Sequence, residues 1–315
     1  MQGDAFDVVV RARTRLARSV VEFELAAPAG SLPAGTPGAH IDLELPSGRV
    51  RQYSLYSGSG VPGTWRIAVL REDAGRGGSA ELHDEVAVGT RLRAVGPRNR
   101  FPLHPSGAYL FIAGGIGITP LLPMVEQAEQ RGAQWQLVYG GRSRESMAFL
   151  PRLARYGEKV RVVPQDTEGL PRIDTLLSGL PDGALVYCCG PQGLLDAVGD
   201  RCSAMPPGSL HTERFTPTGE RPADSGGTAF DAVLERSGRT VRVPAGTSVL
   251  QAVRDAGVAV LASCEEGTCG TCETGVLGGV PEHRDTLLTA DERAANDLML
   301  ICVSRSHTPQ LVLDL

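Results

Sequence analysis

Lysine is almost missing from this chain: Lys159 is the only one, and the other 30 basic residues are arginine. The skew reads as genomic base composition and carries no function. Long apolar runs are missing as well. With no stretch of about 18 apolar residues, a membrane-spanning helix is not expected. The opening residues, Met1 to Asp7, have neither a basic stretch nor an apolar core, so no secretory signal is expected and the cytoplasm is the expected location. No basic patch or stripe interrupts a net charge of −5, which argues against nucleic acid as a partner. Seven cysteines is an odd count, and without a secretory context it does not suggest a disulfide framework. No Ser-His-Asp or paired-carboxylate constellation stands out. His40, His83, His104, His211, His283 and His307 are scattered and read as structural or surface groups.

What the chain does have is a cysteine pattern near its end: Cys264, Cys269, Cys272 and then Cys302. The spacing is the plant-type C-x4-C-x2-C…C of a [2Fe–2S] cluster. Each iron takes two protein sulfurs besides the bridging sulfides, so four thiolates are required. The loop between them must be small, because its N–H groups approach the sulfurs closely. Gly267 and Gly270 allow this. A structural zinc site suits the pattern poorly, since it calls for two C-x2-C pairs or one such pair with paired histidines.

The negative charge is unevenly placed. Residues Phe230 to Leu315 hold 12 acidic and 7 basic residues, a net of −5, and the remaining 24 acidic and 24 basic residues balance. The excess is either a solvated surface or an acidic docking face for a redox partner, with Glu265 and Glu266 inside the cysteine loop as its candidates.

The 315 residues suffice for two or three domains. Residues 1–103 alternate short apolar runs with Gly and Pro, the pattern of a small antiparallel β-barrel. Residues 104–216 alternate strand and helix, which predicts a doubly wound α/β unit with helices at Leu121–Gln130, Glu145–Tyr156 and Leu194–Cys202. Residues 217–228 read as a linker. Residues 229–315 form the cysteine domain: a strand pair, a helix over Ser248–Ala256, the cysteine loop and two further strands.

Two candidate sites lie upstream of the cysteines. Arg51-Gln52-Tyr53-Ser54 offers an arginine for a phosphate, a tyrosine to flank an isoalloxazine ring and a hydroxyl to donate to flavin N5. Gly77-Gly78-Ser79 opens a helical stretch, and free N–H groups there suit a phosphate, with Arg71 adding charge. His83 is a minor candidate contact. The second site starts at Gly114-Gly115-Ile116-Gly117-Ile118-Thr119-Pro120, after an apolar strand and before a helix. Thr119 suits an N-cap and Pro120 the first turn. No third glycine completes the G-x-G-x-x-G fingerprint. Tyr187-Cys188-Cys189-Gly190-Pro191 ends a later strand, where ligands of parallel sheets bind. Alternation turns Cys188 into the core, and Cys202 also reads as core.

The order of these blocks resembles the phthalate dioxygenase reductase family within the ferredoxin–NADP reductase superfamily, over essentially the whole chain. The resemblance implies three parts: an FMN barrel, an NAD-binding α/β domain and a C-terminal α+β ferredoxin domain of the β-grasp type. It implies flavin contacts at Arg51, Tyr53, Ser54, Gly77, Gly78 and Ser79. Gly114, Gly115, Gly117, Thr119, Pro120, Gly190 and Pro191 then hold the dinucleotide, Thr119 stands between the two rings, and Cys189 lies beside the nicotinamide. Ser54, Thr119 and Cys189 are the residues expected at the chemistry. Gly141-Arg142-Ser143-Arg144 resembles the adenosine-ribose region, where Arg142 and Arg144 also suit the 2′-phosphate of NADPH. Phe215 either covers the pocket or is ordinary core. The implied function is an NADH-dependent reductase, acting as a monomer, that takes a hydride onto FMN and passes single electrons through the cluster to a terminal oxygenase, either Rieske-type or a cytochrome P450. A non-catalytic iron–sulfur sensor is the contrasting reading, and the intact flavin and nicotinamide blocks argue against it.

Overall fold

The computed structural model describes residues 4–56, 63–75, 77–215, 227–262, 264–268 and 270–315. Cys269 and most of the expected linker lie outside the described residues. The chain divides into two compact units, Met1–Phe215 and Thr216–Leu315.

The first unit begins with six antiparallel strands: β1 (Ala5–Ala17), β2 (Val20–Ala26), β3 (Ala39–Glu44), β4 (Val50–Ser54), β5 (Thr64–Leu70) and β6 (Arg91–Asn99). Their order is β4-β3-β6-β1-β2-β5. Just past β4, the Tyr56 amide donates to the Arg66 carbonyl of β5 at 3.3 Å, which brings the two edges together as a barrel. Alternate residues point inward, so Val8, Val10, Phe23, Leu25, Ile41, Leu43, Trp65 and Ile67 form the interior. A short helix, α1 (Gly78–Asp84), buries Leu82 in that interior.

The five-stranded sheet that follows is entirely parallel. It contains β7 (Ala108–Gly114), β8 (Gln134–Gly141), β9 (Val160–Pro164), β10 (Leu185–Cys189) and β11 (Leu210–Glu213) in the order β11-β10-β7-β8-β9. Central β7 is buried at every position, which explains its unbroken apolar run. The main helices are α2 (Ile118–Gln130) and, later, the one over Gln192–Cys202. The chain runs outward from β7 through β8 and β9, then returns to β7's other side as β10. The crevice where strand order reverses therefore lies between the carboxyl ends of β7 and β10.

The expected helix over Glu145–Tyr156 is broken. Phe149 sits at φ 65°, a left-handed conformation, and α3 spans only Leu150–Leu153. Pro151 has no N–H to give to a preceding turn and sits in the first turn of α3, where none is needed, so the helix restarts there. Two more short helices follow, α4 (Gln165–Glu168) and α5 (Ile173–Leu177), and the helix over Gln192–Cys202 is α6. One buried cluster holds Val20, Tyr56, Ala68 and Phe101 together with Phe111, Leu121, Met124 and Phe149. Barrel and parallel sheet thus share a core, which is why they fall within one unit.

The second unit carries β12 (Phe230–Leu234), β13 (Arg239–Val243), α7 (Val249–Asp255), β14 (Glu273–Gly278), β15 (Pro281–Glu282), α8 (Ala290–Ala295), β16 (Leu298–Leu300), β17 (Arg305–Ser306) and β18 (Gln310–Leu313). The main sheet runs β13-β12-β18-β14-β16, with β12 and β18 parallel and the other pairs antiparallel. The Ser248 hydroxyl caps α7 by accepting from the Gln251 amide at 3.1 Å. Val249, Leu250 and Val253 of α7 share the core with Phe230, Leu234, Leu311 and Leu313. This is the expected β-grasp arrangement, with β14 added immediately after Cys272. Among the described residues no helix is long and apolar enough to cross a membrane.

Candidate functional site

The two halves of the expected flavin site meet. A Cβ added to Gly78 would stand 2.7 Å from both Cγ and Nε of Arg51, so the Arg51 side chain lies directly against the glycine turn. Gly77 supplies the turn with φ 79° and precedes α1. Glu81 holds this arrangement from below. Its buried carboxylate accepts from the Ser47 amide (2.7 Å), the Ser47 hydroxyl (2.6 Å) and Arg49 (3.1 Å), which ties α1 to the turn between β3 and β4. Burial raises that carboxyl's proton affinity, but these donors outweigh it and leave the group below its ordinary value. Ser54 is buried at the end of β4. Burial pushes the Tyr53 phenol far up, so it stays protonated.

Three expected contacts have other partners. Arg71 is held by Asp73 at 2.8 Å and by Asp84, the last residue of α1, at 2.6 Å. The Ser79 hydroxyl accepts from the Glu72 amide at 3.1 Å. His83 Nε2 meets the Val69 carbonyl at 2.9 Å.

The nicotinamide segments are in backbone contact across the crevice. A Cβ on Gly117 would lie 2.3 Å from the Cys189 carbonyl oxygen and 2.8 Å from the Gly190 nitrogen. One on Gly114 would lie 2.6 Å from Pro191 Cδ, and one on Gly190 would lie 2.9 Å from the Gly114 Cα. These glycines are therefore required by close approach, with Gly115 taking φ 55° in the turn between them. The expected N-cap differs. Gly117 occupies that position, and Thr119 and Pro120 are the second and third residues of α2. The Thr119 hydroxyl is buried and donates back to the Ile116 carbonyl at 2.9 Å, fixing the turn. Arg142 is exposed, and its carbonyl accepts from the Asp166 amide at 3.1 Å. Phe215 is 42% exposed at the end of the first unit, so it is not core.

Cys188 and Cys189 point to opposite faces of the sheet, Cys188 among Leu110, Ile112 and Val186, Cys189 among Ala113, Ile118 and Tyr187. Cys189 is fully buried, and burial, with Glu213 and Cys188 nearby, pushes its thiol well up; it is a neutral thiol. Glu213, which no motif marks, stands beside Cys189. It pairs in register with Cys189, one carboxyl oxygen is enclosed without a partner, and burial raises its pKa to about 8. Its only sequence signal is a carboxylate at the carboxyl end of a strand in this sheet.

In the second unit, the thiols of Cys264 and Cys272 come within hydrogen-bonding reach of Cys302 and push its proton affinity far up. A thiolate there needs a cation, which is the chemistry iron supplies. The Glu266 amide donates to Cys264 Sγ at 3.3 Å, as the small-loop argument requires. Among the described residues no three donors surround a single ion. The expected acidic pair does not present two free charges: Glu265 pairs with Arg254 at 2.6 Å, and Glu266 is half-buried.

Comparison with known proteins agrees with this geometry. Residues 232–307 match the 2Fe-2S iron-sulfur cluster binding domain, and residues 111–200 the oxidoreductase NAD-binding domain. Phenoxybenzoate dioxygenase subunit beta of Ectopseudomonas oleovorans is 46% identical over 303 residues, covering 95% of this chain and 94% of that protein. A solved phthalate dioxygenase reductase, described as modular for electron transfer from pyridine nucleotides to [2Fe-2S], superposes with TM-score 0.73 at 35% identity, covering 99% of this chain and 98% of that one. An intact type IV self-sufficient cytochrome P450 monooxygenase superposes with TM-score 0.91 at 42% identity, and this chain spans 99% of itself but only 41% of that protein. The chain therefore belongs to the phthalate dioxygenase reductase family and is an NAD-dependent oxidoreductase of the kind that serves oxygenase systems as their electron-transfer component.

Proposed function

We propose that this chain takes a hydride from NADH onto FMN and delivers single electrons, through a [2Fe–2S] cluster on Cys264, Cys269, Cys272 and Cys302, to a Rieske-type oxygenase. When bound, the cofactors supply the conversion of a two-electron donor into one-electron steps. The chain supplies the geometry. Arg51 and the turn at Gly77–Gly78 hold the flavin phosphate, and the buried Ser54 hydroxyl faces the ring. The Gly114–Gly117 turn lets the dinucleotide come close. Thr119 keeps that turn rigid by bonding Ile116, and Cys189 borders the nicotinamide as a neutral, polarizable wall. Glu213, protonated at neutral pH, keeps the crevice uncharged. In the second unit, the cysteine loop offers N–H groups to sulfur.

The observation that supports this reading best is the backbone contact between Gly117 and Cys189–Gly190 at the point where strand order reverses. The domains follow as residues 1–103 for FMN, 104–216 for NAD, a linker at 217–228 and 229–315 for the cluster, in a cytoplasmic monomer. A cytochrome P450 as acceptor is the second reading, favoured by the fused P450 relative. Reconstitution separates them: the purified chain with NADH should support turnover of a Rieske-type oxygenase from the same organism, and turnover of a P450 alone would favour the second reading. Acid release of FAD in place of FMN would overturn the flavin assignment.

A further inference from the structure

Beside the cysteine loop lies a buried polar group with no part in the flavin or nicotinamide chemistry. The side chain of Asp285 is fully buried. Its Oδ2 accepts from the amides of Leu287 (3.1 Å) and Leu288 (2.8 Å), and Oδ1 accepts from the Ser304 hydroxyl at 3.5 Å. Ser304 stands two residues after Cys302, and its hydroxyl also accepts from the Arg284 amide at 3.2 Å. On the other side, the Thr286 amide donates to the Gly267 carbonyl at 3.0 Å, and a Cβ on Gly267 would lie 2.9 Å from the Asp285 Cα. Gly267 is midway between Cys264 and Cys269. One segment thus grips both the loop with three cysteines and the segment with the fourth.

The charges facing this carboxylate are few. His283 Nδ1 lies 3.7 Å from Oδ1, and both ring nitrogens of His283 are buried without a hydrogen-bond partner. Arg293 Nη2 lies 3.7 Å from Oδ2 and donates to the Asp285 carbonyl at 2.7 Å. Arg284 is turned to Glu282 at 2.8 Å. Charges buried this deeply are weakly screened, so they act on a neighbouring redox centre through a low dielectric.

We propose that Asp285 is a positioning residue for the iron–sulfur site, holding the cysteine loop to the Cys302 segment and setting the cluster's reduction potential through its fixed negative charge. This rests on the reading that the four cysteines hold a cluster; an iron count of two per chain on the unaltered protein tests that reading separately. The experiment is an anaerobic redox titration of the full chain, followed by the electron paramagnetic resonance of the reduced cluster. Asp285→Asn removes the charge and keeps the shape, so the midpoint should rise. Arg293→Gln removes the opposing charge from a half-exposed position, so the midpoint should fall. A tenfold change in the reduction equilibrium in each direction corresponds to about 59 mV for one electron. A structural role alone does not produce shifts of opposite sign. Shifts of the same sign, or no shift in Arg293→Gln, would overturn the electrostatic half, and Arg293→Gln decides it even if Asp285→Asn assembles no cluster. For the positioning half, Asp285→Ala should lose iron to a chelator several-fold faster than the unaltered chain, and equal rates would overturn it.

Discussion

Gly117→Ala tests the crevice most sharply, because two effects oppose each other there and the geometry decides between them. Gly117 has φ −62° and ψ −3°, a conformation alanine adopts readily. On backbone entropy alone the substitution should stabilise by about 0.4–1 kcal/mol. Against this, the new Cβ would stand 2.3 Å from the Cys189 carbonyl oxygen and 2.5 Å from its carbon, whereas ordinary contact begins near 3.4 Å. The atoms in the way are backbone of β10, which cannot rotate aside. The turn after β7 must move away from β10 by about 1 Å, the difference between those distances. Overpacking of this kind costs about 1–3 kcal/mol, so a net loss of about 1–2 kcal/mol is expected. The functional loss should be larger, since a displacement of about 1 Å between positioned groups costs roughly a hundredfold in rate. The assay is stopped-flow flavin reduction at saturating NADH, alongside thermal unfolding of the first unit. Gly199→Ala is the control: it lies within α6 with nothing within 4 Å of its Cβ and should stabilise by about 0.5–1 kcal/mol with the rate unchanged. If Gly117→Ala reduces flavin as fast as the unaltered chain, the two segments do not form the nicotinamide site.

Three further outcomes follow from named groups. Glu213 has a pKa raised from 4.5 to about 8 by burial, so the folded state holds its proton more tightly than the unfolded state. Its contribution is fully present below pH 4.5 and is lost as pH rises to about 8, by about 5 kcal/mol at most at roughly 1.36 kcal/mol per pH unit, and Glu213→Gln should flatten that slope in chemical denaturation of the first unit. Arg305 is buried and donates to the carbonyls of Thr228, Pro244 and Thr247, so Arg305→Met should destabilise the second unit by about 3 kcal/mol, read as earlier thermal loss of cluster absorbance. Cys272→Ala should abolish cytochrome c reduction while NADH-driven ferricyanide reduction persists, because the flavin and nicotinamide segments lie in the other unit.

The parts of this protein that were readable in its sequence are those where one residue type answers one local demand. The cysteine spacing, the glycines at Gly114 and Gly117, and the unbroken apolar run of β7 each have a single economical explanation. Boundaries were lost where a local pattern competed with backbone geometry. Glu145–Tyr156 has helical periodicity, yet Pro151 and the left-handed Phe149 cut it. Arg71 sits at the right distance in sequence from the glycine turn, but two aspartates at 2.6–2.8 Å claim it, and nothing in the order of residues foretells that. Glu213 and Asp285 were invisible as functional groups for a related reason. Their significance comes from burial and from partners far along the chain, and a lone acidic residue reads as solvated surface until those neighbours are known.

The measurement that bears most directly on the central claim is anaerobic stopped-flow mixing with NADH, following flavin and iron–sulfur absorbance separately. Flavin absorbance should fall first and cluster absorbance should follow, both without any added partner. Bleaching of the flavin with the cluster left oxidised, or no bleaching by NADH at all, would contradict the assignment of this chain as a path from a nicotinamide through a flavin to iron and sulfur.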